Sequence, residues 1–174
     1  MEISKLDAAK RQIDTAIRLF FKSADPISIH TLTAAGHQVL MDIAKPENIK
    51  SFMKDSPWII GDKKKEYLAI VNEAENFFKH AEKDPSSVLK FKQEQTEFLL
   101  LDAVEMYIQL TADMPENMLI YRAWFLVKFT NIISAGTLKA FKELNLEHKI
   151  KEYRKLGKIE FYKTMKEAIS ASDV

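Results

Sequence analysis

The chain has 174 residues, 47% hydrophobic and 29% charged, with 26 Lys and Arg against 25 Asp and Glu. That is the size and make-up of one domain with a single core, and a net charge of +1 argues against a strongly charged partner covering the whole surface. The absence of cysteine excludes disulfides, thiolate catalysis and Cys-ligated zinc or iron–sulfur centres, and it fits a reducing compartment, so the expected location is cytoplasmic.

The opening stretch MEISKLDAAKRQID mixes charges with apolar residues and lacks the uninterrupted apolar run of a signal peptide, so secretion is not expected. With only four glycines and five prolines, long segments run without breakers. Ser4 with Asp7 can cap a first helix reaching about Lys22, whose Leu6, Ile13, Ile17 and Phe20 share a face. Asp25-Pro26, an N-cap aspartate followed by proline, starts a second helix that ends near Ala44, ahead of Pro46. The stretch PENIKSFMKDSPWIIGD leaves room for one helical turn at 49–53 and a loop holding Trp58. A third helix is expected over about 63–82, a fourth over about 94–112, and a fifth from Pro115 to about Ala135. Thr137 can cap a final region to Ser170, in one or two helices bent near Asn145 or Gly157.

The most apolar stretch, Met118 to Ile133, carries Arg122 and Lys128 and falls short of the roughly 20 apolar residues of a bilayer span, so it reads as a core helix and no membrane association is expected. Without repeats or alternating strand patterns, the class is all-α: a single helical bundle of five to seven helices over 1–174.

Several helix faces carry polar residues that a plain bundle does not need. On the second helix Ile29, Leu32, Gly36, Val39, Leu40 and Ile43 form a broad apolar face, with His30 and His37 together on its flank. The two histidines are about 10 Å apart along the axis; they are either ligands or proton shuttles, or core histidines holding hydrogen bonds. On the third helix Glu73, Asn76 and His80 share one edge. If that edge faces the flank of the second helix, the set forms a buried cluster suited to acid–base work or to a divalent metal on His30, His37 and His80; otherwise it is a solvated edge.

On the fifth helix Arg122 lies among Leu119, Trp124, Phe125, Leu126 and Phe129, so a buried guanidinium there requires either a carboxylate, Glu97 or Glu105, or a phosphate or carboxylate ligand. Lys128 is expected to reach the surface along its methylene stem. Gln95, Asp102, Glu105 and Gln109 read as a solvated side of the fourth helix. The run KAFKELNLEHKIKEYRKLGKIEFYKTMK interleaves cations with Tyr153, Phe161 and Tyr162, which suits either nucleic acid or a charged outer face. No glycine-rich phosphate loop, nucleophile elbow, HExxH or dinucleotide fingerprint is present, no Glu-x-x-His di-iron pattern occurs, and no cofactor is required.

The segments RQIDTAIRLFFKSADPISIHTLTAAGHQVLMDI (11–43) and NFFKHAEKDP (76–85) resemble an uncharacterised bacterial all-helical family marked by DPxSIHTL and NFFKHA, a resemblance that spans most of the chain and implies no assigned activity. More distantly, an acidic turn leading into an alanine-rich helix is similar to HEPN domains, many of which are ribonucleases while others bind nucleotides. The HEPN ribonuclease motif is an arginine followed by four to six residues and then a histidine. Arg122 is followed at that distance by Val127, Lys128 and Phe129, and Arg11 and Arg18 lack the histidine too, so ribonuclease chemistry is not implied. The expected role is a binding or interaction module, with a small anionic ligand near Arg122 and homodimerisation as its expected partners. The alternatives are an enzyme using His30, His37, Glu73 and His80, and a nucleic-acid-binding protein.

Overall fold

The computed structural model describes residues 1–57, 59, 61, 63–82, 84–132, 134–143 and 146–172; the expected loop position of Trp58 and the bend at Asn145 lie outside them. The described residues are all helix and turn, with no strand, and none of their helices is long and apolar enough to cross a membrane.

Helix α1 (Lys5–Phe21) starts with a reciprocal capping box: the Asp7 N–H donates to Ser4 Oγ at 3.0 Å, and the Ser4 N–H donates to the Asp7 carboxylate at 3.4 Å. Helix α2 (Pro26–Ala44) starts at Asp25, whose carboxylate accepts the Ser28 N–H at 2.7 Å. Ser23, in the left-handed region at φ 52°, makes the tight turn between them. The two helices approach closely at Gly36, where an added Cβ would lie 2.9 Å from Ile13 Cγ1 and 3.3 Å from the Ala9 carbonyl oxygen. Only a residue without a Cβ allows that spacing.

Helix α5 (Glu94–Thr111) crosses α2 and α1, and α6 (Glu116–Lys128) packs on α1 and α5. The last helix, α9 (Lys158–Ser172), covers α6 and α1. The aromatic rings of three helices meet at the centre: Phe20 is edge-on to Trp124 at 4.7 Å and to Tyr121 at 5.2 Å, and Phe161 of α9 is 6.3 Å from Phe21. The buried Tyr121 hydroxyl donates to the Glu97 carbonyl at 2.8 Å, which locks α6 to the first turn of α5.

The bundle has nine helices among the described residues instead of five to seven, because two long segments are broken. The expected 63–82 helix divides at Asn72 into α3 (Lys63–Val71) and α4 (Glu73–Lys79). Asn72 sits at φ −93°, ψ 0°, off the regular helix, and the change of direction seats Ala74 of α4 in the interior while α3 buries no residue. Helix α6 stops at Lys128, short of Ala135, because Phe129 leaves helical geometry and folds its ring back to 4.4 Å from Phe125 and 5.2 Å from Phe98. The final region has three helices, α7 (Ala135–Glu143), α8 (Glu147–Tyr153) and α9, the last break falling at Gly157 as expected. The short turn expected at 49–53 lies slightly later, closed by the Asp55 N–H on the Ser51 carbonyl at 2.9 Å.

Candidate functional site

Asp102 of α5 is the first departure from the expected polar side. It is 1% exposed, and His37 of α2, facing it, is fully buried. His37 Nε2 lies 2.9 Å from Asp102 Oδ2. The same oxygen accepts the Ser51 hydroxyl and, at 3.3 Å, the Met53 N–H, while Oδ1 accepts the Phe52 N–H at 3.1 Å. Ser51 Oγ in turn accepts the Lys54 N–H at 2.7 Å. Serine, aspartate and histidine thus meet with the carboxylate in the middle. The serine donates to the aspartate and not to the imidazole, so the serine–histidine contact by which a triad activates its nucleophile is not made. The arrangement ties the 51–55 turn to α2 and α5.

One helical repeat earlier, His30 is 2% exposed and places Nδ1 2.9 Å from the Thr96 hydroxyl. Phe78 of α4 and Phe91 stand edge-on to its ring at 5.6 and 5.3 Å. Burial pushes its pKa down to about 4; Glu75 pulls the other way, while Lys54 and Lys79 reinforce the drop. His30 is therefore a neutral imidazole at pH 7. Close by, Lys54 and Lys79 both reach Glu75, at 3.3 and 2.6 Å. Burial opposes ionisation of Glu75, and the two lysines outweigh it, holding the carboxyl below its usual range.

The polar edge of α4 does not join these histidines. Ala74 and Phe78 take the inward face, and four-residue spacing then turns Glu73, Asn76 and His80 outward, where they are exposed. They line a surface pocket of about 750 Å³ with Glu82 and Asp84. Among the described residues no group of three or more His, Asp or Glu side chains is placed to hold a metal ion. Of the two readings of that edge the solvated one holds: His30 and His37 lie in a hydrogen-bonded interior while Glu73, Asn76 and His80 lie on an outer edge, so the conditional cluster does not form and His30, His37 and His80 share no metal site among the described residues.

Arg122 also departs from expectation in its burial. Its side chain is 41% exposed, and its Nε donates to Glu105 at 2.5 Å, one of the two expected carboxylate partners. The guanidinium is answered from within the chain, which removes the reason for an anion at that position.

A different set of cations does converge. Where the C-terminal end of α6 meets α8 and the start of α9, Lys128, Arg154 and Lys158 line one concave pocket of about 250 Å³, floored by Trp124, Tyr153 and Leu156. Arg154 is fixed there by its Nε donating to the Val127 carbonyl at 3.1 Å, one of the carbonyls that the end of α6 leaves without a helical partner, and by a contact to the Thr130 hydroxyl. The Lys158 ammonium stands 3.6 Å above the Phe20 ring and 3.7 Å from Glu97. Burial lowers the pKa of Lys158 and raises that of Glu97, so desolvation of each outweighs their mutual attraction. Glu97 is the one carboxylate among the pocket's lining residues, and Lys128 and Arg154 form no ion pair among the described residues.

Arg154 and Lys158 are legible only as members of the basic run, and Lys128 only as a lysine of the fifth helix reaching for the surface. The aromatics interleaved with that run face inward: Phe161 is 1% exposed, Tyr153 packs on it at 5.9 Å, and the Tyr162 hydroxyl donates to Asn117 at 2.5 Å. They make no outward stacking platform for nucleic-acid bases. Comparison with protein-family models, with curated proteins and with solved structures finds no match to this chain.

Proposed function

We propose that the protein is a binding module for a small anion, a phosphate- or carboxylate-bearing molecule, taken up in the pocket between α6, α8 and α9. The observation that carries this reading is the convergence of Lys128, Arg154 and Lys158 on one concavity against the single carboxylate of Glu97. Opposite charges at an open surface stabilise by only about 0–1 kcal/mol, but a concave site walled by Trp124 and Tyr153 screens them less. Arg154 is held in place before any ligand arrives, so little side-chain entropy is lost on binding. The resemblance to HEPN domains points the same way, since some of them bind nucleotides. The ligand position moves from Arg122 to the far end of the same helix.

Calorimetric titration with pyrophosphate tests this. Binding is expected to weaken as salt is raised, and Lys158→Ala is expected to weaken it by about tenfold, equivalent to about 1.4 kcal/mol. Because burial already lowers the Lys158 pKa, affinity should fall on the alkaline side at a lower pH than an ordinary lysine would dictate. No heat of binding, or equal affinity in the variant, removes the reading.

A further inference from the structure

The His30 imidazole has a second nitrogen. Nε2 is buried and has no hydrogen-bond partner among the described residues. A buried polar atom left in that state costs about 1–3 kcal/mol, so a native structure that retains one calls for a physical reason. His30 lines a cavity of about 210 Å³ with Tyr67 of α3, Gln95 and Leu99 of α5, and Met53 and Val71. The Tyr67 hydroxyl and the Gln95 side-chain amide have no hydrogen bond among the described residues and stand on the solvent side, so His30 Nε2 is the one buried unanswered group beside a space whose remaining walls are aliphatic or thioether. An apolar cavity of about 150 Å³ is enough to take up benzene, and this one is larger. A charged molecule would lose its hydration without gaining a counter-ion, because Lys54 and Lys79 are already engaged by Glu75.

We infer that this cavity is a second binding site, separate from the basic pocket, for a small uncharged aromatic or aliphatic molecule carrying one hydroxyl or amide group that pairs with His30 Nε2. The ring supplies a donor or an acceptor according to its tautomer, and the Thr96 hydroxyl adjusts by accepting from Nδ1 or donating to it. Gln95 and Ile70, both exposed, stand at the mouth.

Phenol, benzene and benzoate are suitable probes, followed by NMR through the His30 ring nitrogens and the Leu99 methyl groups. Phenol is expected to bind saturably and to shift the Nε2 resonance; benzene, with the ring and no hydroxyl, is expected to bind about tenfold more weakly, the worth of one hydrogen bond, and benzoate not at all. Leu99→Phe, which fills the cavity with a larger apolar side chain and leaves His30 in place, should abolish the phenol response while retaining the fold. The inference is overturned if phenol leaves Nε2 unshifted, if benzene binds as tightly as phenol, or if the folded Leu99→Phe variant binds phenol unchanged.

Discussion

Replacing Asp102 by alanine is expected to remove about 3–5 kcal/mol of stability, on the order of several donors left unsatisfied at about 1–3 kcal/mol each. Four donors converge on this carboxylate: the His37 ring, the Ser51 hydroxyl and the N–H groups of Phe52 and Met53. Alanine would leave the His37 ring and the Ser51 hydroxyl unanswered in the interior, and the Phe52 and Met53 N–H groups unanswered in a part-buried turn. For a domain of this size the loss corresponds to a fall in Tm on the order of 10 °C. Asp102→Asn should fall in between, since its amide oxygen still accepts while its NH2 group opposes the remaining donors. Hydrogen exchange gives a second readout: the Phe52 and Met53 amides should lose protection in both variants before the α1 and α2 amides do. A variant with native stability and protected Phe52 and Met53 amides would mean that the carboxylate does not anchor the turn.

The second large effect is on acid stability. His30 has its pKa pushed down to about 4 in the folded protein, against about 6.5 for an unfolded chain. Between those values the unfolded chain takes up a proton that the folded protein refuses, so stability is fully present above about pH 6.5 and is lost as pH falls toward 4. The shift corresponds to at most about 3 kcal/mol at 1.36 kcal/mol per unit. Urea denaturation from pH 7 to pH 4 should show this decline, and His30→Phe, whose ring would lie among Phe78 and Phe91, should remove most of it while giving up the Thr96 bond. The same decline in wild type and variant would show that other groups set the acid limit.

What could be read from the sequence was local. The Ser4–Asp7 box and the Asp25-Pro26 start depend on residues within one turn of each other, and both form as their spacing dictates. The partnership of Arg122 with a glutamate of the preceding long helix was also legible, because both residues lie at regular positions on helices that must pack. The burial of Asp102 was not. Helical periodicity placed it with Gln95, Glu105 and Gln109, and three of its four partners come from the irregular 51–53 segment, whose position no periodicity reports. The edge formed by Glu73, Asn76 and His80 was found, but its direction depended on a break at Asn72 that re-aims α4. The basic pocket requires three helix ends to meet in space. Gly157, which ends one helical segment and lets α9 begin at Lys158, was its one local sign.

An anion held between α6, α8 and α9 lies against the Trp124 indole that floors the pocket. Trp58 and Trp124 are the two tryptophans of the chain, so Trp58→Phe leaves Trp124 as the sole indole reporter. Titrating that variant with pyrophosphate at low salt is expected to change its emission saturably, with the change suppressed by added salt and by a further Arg154→Ala substitution. Emission that stays constant, or that changes equally with and without Arg154, would contradict an anion site between α6, α8 and α9.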